Sequence, residues 1–417
     1  MNLLVLCPHF APDVAPTGEV MTQITEQLAH RGHRIHVVTS LPWYQHHAIE
    51  PGWTGRMVRH EDTEWGRITR VHPFPTDKGN IPARALAFGG FTALTGLAGL
   101  VSRSRPQAVL AMSPPLTLGA AGWAMARRHR VPFVFNIQDV FPDVAVEVGA
   151  ITSPKVIAAA SWLERETYLR ADAVTVLSDD LADNVAAKIA GRRGAAGRAD
   201  KVRVIPNFID TEWIQPGERE NDYRREHGLQ GKTVVMYAGN VGFSQSLDLV
   251  IAAATHFAHD PQVVFVINGG GSARPTLERA AAGLPNVRFV DMAPKSRLPE
   301  VVAAADLHVV PLRAGLARSS VPSKLYTILA AGRPVVASVD AGTEVARTVE
   351  RAGAGLAVAP DDPEAFTKAI ERLIQAPAES EAMGASGRRF VEGWASPSAV
   401  AASYEALFDE LADASGH

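Results

Sequence analysis

The sequence predicts an α/β protein made of two Rossmann-like, doubly wound domains. The chain has 417 residues, whereas a single hydrophobic core seldom grows beyond about 250–300 residues. Short apolar runs alternate with helical stretches in the first half, and the same alternation begins again after residue 206. Because strands that alternate with helices pair in parallel through crossovers, each half is expected to build its own open sheet.

The first domain is predicted to span residues 1–205. Apolar residues recur with helical spacing from Gly18 to His30, and Gly32 is a suitable stop for that helix. The glycine-rich residues 191–197 are expected to form a surface loop near the domain boundary. The predicted strands are Leu3–Leu6, Ile35–Thr39, Ala108–Ala111, Phe133–Asn136, Ala173–Leu177 and Val202–Ile205.

The second domain is predicted to span residues 206–395. Its helical segments include Leu247–Phe257, Leu298–Ala305 and Leu325–Ala330. Ligands of open α/β sheets bind beyond the carboxyl ends of the strands, so the two domains are expected to face each other across a loop-lined cleft. The predicted strands are Thr233–Ala238, Val263–Asn268, Val287–Val290, Leu307–Pro311, Val335–Ser338 and Gly355–Ala359.

Composition excludes several classes of protein. Apolar residues make up 47% and charged residues 20%, an ordinary globular profile, and the net charge of −3 provides no basic field for nucleic acid. The single cysteine, Cys7, excludes an internal disulfide and a cysteine metal cage. The apolar N-terminus, which ends at Pro8, is expected to be a buried strand and not a signal peptide. No metal constellation is apparent, and His46 and His47 are interpreted as a surface pair.

Two glycine-bearing loops follow predicted strands. Residues 8–18 lead into the first helix, where Gly18 allows close backbone approach of an anion at a helix N-terminus. Gly269, Gly270 and Gly271 follow the Val263–Asn268 strand and suit a loop that passes close to a ligand. An ordinary strand-to-helix connection explains the first loop about as well, and linker chemistry explains the second nearly as well.

A basic loop gives a stronger signal. Residues 313–324 read R-A-G-L-A-R-S-S-V-P-S-K and end where a helix begins. Helix N–H groups at Ser323, with the side chains of Arg313, Arg318 and Lys324, would bind a diphosphate through hydrogen bonds and opposite charge. The alternative is a solvated basic loop.

A polar loop in the first domain carries the candidate catalytic groups. Residues 136–144 read N-I-Q-D-V-F-P-D-V and follow a predicted strand. Gln138 and Asp139 are predicted to contact substrate, with Asp139 orienting the donor sugar or an acceptor hydroxyl. Asp143 is interpreted as a helix cap before Val144.

The order of these loops resembles the retaining glycosyltransferases of family 4, which have the GT-B fold. More narrowly, it resembles bacterial capsule, colanic-acid and O-antigen sugar transferases of the N-acetylfucosamine-transferase-like type. The resemblance covers nearly the whole chain. It rests on LAHRGHRIHVVT at 28–39, NIQDVFPD at 136–143, VIPNFID at 204–210, YAGNVGFSQSLD at 237–248, PSKLYTILAAGRPVVAS at 322–338 and Trp394 before a last helix.

The resemblance implies transfer of a sugar from a nucleoside-diphosphate sugar to a glycan or lipid-linked acceptor, with retention of configuration. It places the acceptor on the first domain, which the last helix, residues 396–417, rejoins, and the donor on the second. The implied diphosphate contacts are Gly18, Arg313, Arg318, Ser323 and Lys324. The implied nucleoside contacts are Asn240, Gly269, Gly271, Met292, Lys295 and Thr327.

The chain departs from the family pattern at the donor loop. Ser319 and Thr327 stand where two glutamates are common, Asn240 and Gln245 replace an Arg and a Lys, and Gln138 replaces a histidine. The named subfamily shares these departures, so a variant site is expected. Its positive charge would come from the basic loop, and neither a metal nor another cofactor is expected to be required.

An apolar stretch of the first domain, where the acceptor is expected to bind, has two alternative interpretations. The stretch Ile81–Arg105 is apolar between basic residues, which suits either contact with an anionic inner membrane leaflet or a buried helix. The protein is expected to be cytoplasmic, and to be peripheral on the inner face of the plasma membrane if the first of these alternatives holds. Two rival functions remain open: a sugar-nucleotide 2-epimerase, which needs acid/base carboxylates, and a non-catalytic nucleotide-sugar binding protein.

Overall fold

A computed structural model describes residues 1–76, 81–100, 105–147, 151–190, 199–242, 244–315 and 323–414. The chain divides into two compact units. The first comprises residues 1–207 together with 400–417, and the second comprises residues 208–399. The sequence-based boundaries were residues 205 and 395.

The first unit is built on an eight-stranded sheet. Its strand order is β3-β4-β2-β1-β5-β6-β7-β8, and every pair is parallel except β3 with β4. The strand order reverses direction between β1 and β5, which is where open α/β sheets bind ligands. The strands are β1 (Asn2–Leu6), β2 (Arg34–Ser40), β3 (Val58–Thr63), β4 (Gly66–Val71), β5 (Ala108–Ser113), β6 (Phe133–Ile137), β7 (Ala173–Val176) and β8 (Val202–Val204).

Helices connect these strands. The helices are α1 (Pro16–His30), α2 (Ile81–Leu100), α3 (Leu118–His129), α4 (Asp143–Glu147), α5 (Pro154–Arg170) and α6 (Asp179–Ala190). A last helix, α15 (Pro397–Ala414), contributes Tyr404, whose hydroxyl is 2.8 Å from Asn136 Nδ2 on β6. Arg31 and Arg203 form ion pairs with Glu405 and Glu410 of the same helix. These contacts bind the end of the chain to the first unit.

The second unit is built on a six-stranded, fully parallel sheet. Its strand order, β11-β10-β9-β12-β13-β14, is that of a dinucleotide-binding fold and reverses between β9 and β12. The strands are β9 (Thr233–Ala238), β10 (Val263–Asn268), β11 (Val287–Val290), β12 (Leu307–Pro311), β13 (Val335–Ser338) and β14 (Gly355–Val358). The helices are α7 (Asp222–His227), α8 (Asp248–His256), α9 (Arg274–Ala280), α10 (Leu298–Ala303), α11 (Ser323–Ala330), α12 (Glu344–Ala352), α13 (Pro363–Gln375) and α14 (Pro377–Trp394).

The two doubly wound units confirm the predicted fold class, and all twelve predicted strands are present. Both sheets are buried on their two faces by apolar side chains, which is why their strands read as continuous hydrophobic runs. The prediction was wrong in omitting the β3–β4 hairpin. The β3 sequence VRHEDT is polar because the strand forms an antiparallel, largely exposed edge.

Helix α2 packs against the first unit, as one of the two alternatives for its sequence predicted. Its Ala87, Phe91 and Thr95 are buried, and the helix packs against α3 and the β2–β4 side of the sheet. By contrast, Leu86 is 79% exposed and Leu97 is 59% exposed. The spacing of these two leucines places them on one helix face, so α2 is a packed helix with an apolar outer face. Within the described residues, no helix has the length and hydropathy needed to cross a membrane.

Candidate active site

The switch point of the second sheet collects most of the residues predicted to bind the donor. Strands β9 and β12 are neighbours there, with Leu307 paired to Val235 and His308 to Met236. The loop after β9 and the basic loop after β12 both start at this edge. Helix α11 then begins at Ser323.

Lys324 is a largely buried cation in the first turn of α11. Its Nζ donates to Tyr237 Oη at 2.9 Å and to Gln245 Oε1 at 3.2 Å, and lies 4.4 Å from the centroid of the Tyr237 ring. Both partners are neutral. Burial lowers the pKa of Lys324 from 10.5 to about 8. A desolvated ammonium at a helix N-terminus, held by neutral groups, favours a bound anion.

A pocket of about 320 Å³ opens beside Lys324. It brings together four predicted residues, and no carboxylate side chain is among the described residues that line it. Apolar walls with a few polar groups suit a flat heterocycle and a ribose. The lining residues are Ala238, Gly239, Asn268, Met292, Ala293, Lys295, Leu298, Val301, Val302, His308, Lys324, Thr327 and Ile328.

Polar groups of the pocket are oriented by the fold. Asn268, at the end of β10, donates through Nδ2 to Tyr223 Oη at 3.0 Å. The buried His308 donates through Nε2 to the Val302 carbonyl at 2.9 Å, and burial lowers its pKa to about 4, which keeps the imidazole neutral. Met292, which is 62% exposed, and the exposed Lys295 stand at the rim.

Gly269 and Gly271 are required by the packing of two loops. Residues 239–241 run beside 269–271, with Gly239 N donating to Asn268 O and Val241 N to Gly270 O. Both glycines have positive φ, 151° and 154°. A Cβ on either would strike the Gly239 or Val241 carbonyl. The close approach of the two loops therefore explains why both positions are glycine, and no bound ligand is needed to explain them.

Asn240 lies next to the pocket, in the loop that follows β9. Its carbonyl accepts the Tyr237 hydroxyl at 2.5 Å. Its side-chain Oδ1 lies beside Gly271. Tyr237 thus connects Asn240 to Lys324.

The start of the basic loop is fixed by two aspartates. Ala314 N donates to Asp361 at 3.1 Å, and Gly315 N donates to Asp340 at 2.7 Å. A hydrogen bond from the Ser246 hydroxyl, then the one from Ala314, lowers the pKa of Asp361. Arg313 Nη2 lies 3.4 Å from Asp248 Oδ1. Arg318 lies outside the described residues.

Ser323 is described only through its backbone, which begins α11. Its main chain therefore stands at the helix N-terminus that the sequence predicted, immediately before Lys324.

The polar loop of the first unit presents one free carboxylate. Asp139 follows β6 and is exposed to solvent, and partial desolvation raises its pKa. Gln138 is buried, and both ends of its amide are occupied: Nε2 donates to Asn136 Oδ1 at 2.8 Å, and Oε1 accepts from Asn207 at 2.9 Å. The geometry suits Gln138 to positioning the loop and Asp139 to meeting a ligand.

Asp143 is not the helix cap that the sequence suggested. It is the first residue of α4, and its carboxylate accepts from Lys188 at 2.8 Å and from Asn184 at 3.1 Å, both on α6. The ion pair with Lys188 links α4 to α6. Local sequence could not predict this pair, because its two residues are 45 positions apart.

Gly18 lies in the first turn of α1, against the loop that follows β1. A Cβ there would be 2.8 Å from His9 Cβ. The glycine thus allows the helix to approach that loop, at the switch point of the first sheet.

The structure brings Met292, Lys295, Lys324 and Thr327 into one pocket and leaves Gln138, Asp139 and Gly18 in the first unit. Sequence reasoning missed Tyr237 and His308, which lie in β9 and β12, the strands that flank the switch point. Among the described residues, no three His, Cys, Asp or Glu side chains are close enough to hold a metal ion.

Comparison with known proteins agrees with this geometry. Residues 17–207 match the family described as "Glycosyl transferase 4-like domain", and residues 232–376 match "Glycosyl transferases group 1". The chain therefore belongs to the glycosyltransferases that combine these two domains.

A putative colanic acid biosynthesis glycosyl transferase, WcaI of Escherichia coli, is 27% identical over 90% of this chain and 93% of that protein. Among solved structures, sucrose-phosphate synthase from Thermosynechococcus elongatus superimposes with a TM-score of 0.66 at 20% identity, covering 99% of this chain and 100% of the other. Anabaena HepE, in complex with UDP, has a TM-score of 0.64 at 15% identity with the same coverage. These structural likenesses establish the GT-B fold.

Proposed function

We propose that this glycosyltransferase moves a sugar from a nucleoside-diphosphate sugar, bound by the second unit, to a glycan or lipid-linked acceptor, bound by the first. The process served would be synthesis of a cell-envelope polysaccharide or glycolipid, and the WcaI relative is a putative colanic acid biosynthesis glycosyl transferase. The observation that carries the proposal is Lys324, a buried ammonium with neutral partners beside an apolar pocket. HepE, with a similar fold, binds UDP.

The proposed donor geometry follows from the pocket. The base and ribose occupy the space between Met292, Lys295 and Thr327, and the diphosphate extends to Lys324 and the start of α11. Arg313 and Arg318 supply further positive charge to the diphosphate. Asn240 and the backbone of the two glycine-bearing loops edge the nucleoside.

Chemistry at this site consists of stabilising a leaving group. When the bond from the anomeric carbon to phosphate breaks, negative charge accumulates on the nucleoside diphosphate. In this proposal, the Lys324 ammonium, held by Tyr237, and the N–H groups that open α11 stand where that charge would develop. We propose that they provide the stabilisation and that transfer needs no divalent metal.

The acceptor hydroxyl is proposed to attack on the face that the phosphate leaves, which retains the anomeric configuration. Asp139, exposed at the end of β6, orients the donor sugar or the acceptor hydroxyl. Partial desolvation raises its pKa, and a hydroxyl that donates a hydrogen bond to the carboxylate would stabilise the charged form. Gln138 holds this loop in place.

Two rival functions, a 2-epimerase and a non-catalytic binding protein, are separated from sugar transfer by experiment. A 2-epimerase needs acid/base carboxylates around the donor sugar, which in this proposal lies outside the pocket for the base and ribose. Incubation of the enzyme with donor alone separates the two, because an epimerase turns over without acceptor. A non-catalytic binding protein would bind the donor and transfer sugar to no acceptor.

A lipid-linked acceptor would bring the protein to the inner face of the plasma membrane from the cytoplasm. The exposed Leu86 and Leu97 of α2 give the first unit an apolar surface for this contact.

Donor binding is the direct test. Affinities for UDP, GDP and their sugar conjugates are measured by calorimetry for the wild type, Lys324→Ala and Lys368→Ala, which removes an exposed lysine of α13. Loss of a charged hydrogen bond predicts a fall of about tenfold to a hundredfold for Lys324→Ala only. Equal affinity in all three proteins would reject the assignment.

A further inference from the structure

A polar and aromatic cluster occupies the switch point of the first sheet. The strand order reverses there between β1 and β5, and the loop after β1, residues 7–15, leads from this point to α1. Ligands of open α/β sheets bind at such positions. The residues of the cluster are His9, Asp13, Trp43, Tyr44 and His47.

His9 and Asp13 form a buried pair. His9 Nδ1 lies 2.7 Å from Asp13 Oδ2, and the two residues are 9% and 3% exposed. The other carboxylate oxygen accepts the Tyr44 backbone N–H at 3.0 Å. Because a carboxylate only accepts, the imidazole Nδ1 carries the hydrogen. In the uncharged tautomer, this leaves Nε2, on the ring edge away from Asp13, as a hydrogen-bond acceptor.

Aromatic rings surround this imidazole. Trp43 stacks on it with centroids 5.7 Å apart, and Tyr44 meets it edge-on at 5.2 Å. His47 contacts both Trp43 and Tyr44. Tyr44 is 39% exposed and His47 is exposed. Aromatic faces pack against the C–H faces of a sugar, while its hydroxyls need hydrogen-bond partners, so the combination suits a pyranose ring.

The loop that carries His9 is held rigidly. The buried Arg70 of β4 donates to the Phe10 carbonyl at 3.3 Å and to the Ala11 carbonyl at 2.5 Å. Thr22 Oγ1 accepts the Ala11 N–H at 2.9 Å. Gly18 lets α1 pack directly on His9. Such preorganisation lowers the entropy cost of binding.

We propose that His9, Asp13, Trp43 and Tyr44 form a subsite for one pyranose ring of the acceptor glycan. The ring packs on the aromatic side chains, and one sugar hydroxyl donates to His9 Nε2. The proposal rests on the proposed function, which places a glycan acceptor on the first unit.

Saturation-transfer NMR tests the subsite with three probes: the methyl β-glycosides of glucose, galactose and N-acetylglucosamine. At least one is expected to receive saturation at its ring C–H protons from the wild type. Trp43→Ala and His9→Leu should lower its affinity about tenfold, the usual effect of truncating a central contact. Trp162→Ala, which removes a Trp that is 54% exposed on α5, should have no effect. Binding by none of the probes, or undiminished binding by Trp43→Ala, would overturn the proposal.

Asp13→Asn separates binding from folding. The asparagine side chain has one oxygen, which can still accept the Tyr44 backbone N–H. Its NH₂ group then donates a hydrogen bond to His9 Nδ1, so the imidazole hydrogen moves to Nε2. The ¹⁵N shifts of His9 report that change in a folded protein. Weaker glycoside binding with the shifted tautomer supports the subsite, whereas a shifted tautomer with unchanged binding refutes the role of Nε2.

Nucleotide binding distinguishes failure of the subsite from failure of the proposed function. UDP and GDP affinities are measured for the same variants and are expected to equal those of the wild type. Glycoside binding that depends on Trp43, in a protein that binds no nucleotide, would support the subsite and count against the donor assignment. Nucleotide binding without glycoside binding would refute the subsite alone.

Discussion

Lys324 Nζ lies 2.9 Å from Tyr237 Oη and 4.4 Å above the centre of the same tyrosine ring. The Tyr237 hydroxyl donates its hydrogen to the Asn240 carbonyl, which leaves its lone pair for the ammonium. One side chain of β9 therefore positions the cation of α11 and the loop that follows β9. Among the described residues, the hydrogen-bond partners of this ammonium include no carboxylate, so none of them neutralises its charge.

Tyr237→Phe tests this positioning. The substitution keeps the ring under the ammonium but leaves Lys324 and the Asn240 carbonyl each without one hydrogen bond. We expect the free energy of unfolding to fall by about 1 kcal/mol and donor affinity to fall several-fold. Chemical denaturation and calorimetry measure the two effects.

A double-mutant cycle shows whether Tyr237 acts through the lysine. In a Lys324→Ala background, Tyr237→Phe should change donor affinity little, because the group that it positions is absent. Full additivity of the two substitutions would mean that Tyr237 contacts the donor by another route.

Donor binding should depend on pH through Lys324. The buried amine has a pKa of about 8, against 10.5 in the unfolded chain. A diphosphate binds the charged form, so affinity should be highest below pH 8 and fall as the pH rises above it, with protons taken up on binding near pH 8. Calorimetry in buffers of different ionisation enthalpy measures that uptake.

The same group affects stability with a definite sign. Burial penalises the charged lysine, and this penalty is fully present below pH 8. Between pH 8 and 10.5 the unfolded chain holds a proton that the folded protein has released, so Lys324 makes the free energy of unfolding rise with pH in that window. Lys324→Arg, which stays charged, should abolish both dependences; their persistence would assign them to another group.

Periodicity and strand-end position were enough to predict the sheets and the edge where the pocket forms. The strands of both sheets are continuous apolar runs, and the rule that ligands bind beyond the carboxyl ends of strands directed attention to the loop that ends at Lys324. Met292 and Thr327 were predicted only through the family resemblance. The β3–β4 hairpin was not predicted, because β3 is an exposed edge strand of mostly polar and charged residues and has no such apolar run.

Contacts between distant segments could not be predicted in this way. Lys324 and Tyr237 are 87 positions apart, and nothing local to either specifies the pair. Likewise, Gln138 looked available for chemistry until the structure showed its amide occupied by Asn136 and Asn207.

Gly269→Ala should destabilise the second unit. The residue has a φ of 151°, and a Cβ would strike the Gly239 carbonyl. A cost of about 1–3 kcal/mol is expected for the backbone conformation alone. Gly270→Ala is the matched control, because a Cβ there meets no atom within 4 Å. Equal melting temperatures for the two variants would show that the loops separate easily.

Membrane contact through α2 is tested by Leu86→Glu/Leu97→Glu. These side chains are 79% and 59% exposed, so charge on them should leave the fold intact and prevent insertion into the headgroup region. Co-sedimentation with vesicles that contain phosphatidylglycerol should be lost. Val156→Glu, at an apolar residue of α5 that is 44% exposed, should keep it. A wild-type protein that stays in the supernatant would reject membrane contact.

Asp139→Asn tests the carboxylate of the first unit. The substitution preserves size and removes the charge, so a donor or acceptor hydroxyl would lose a charged hydrogen-bond acceptor. Single-turnover rates are expected to fall about tenfold to a hundredfold, while donor affinity, governed by the second unit, stays at the wild-type value. Rapid-quench measurement with saturating donor separates the two quantities.

Asp143→Asn is the control in the same loop. Its carboxylate is engaged by Lys188 and Asn184, and removal of this partly exposed ion pair should cost about 0–1 kcal/mol of stability and leave the transfer rate unchanged. A rate loss in Asp143→Asn equal to that in Asp139→Asn would mean that both act by disturbing the loop. Full activity in Asp139→Asn would exclude this carboxylate from orienting either substrate, and the acceptor hydroxyl would then have to be oriented by other groups.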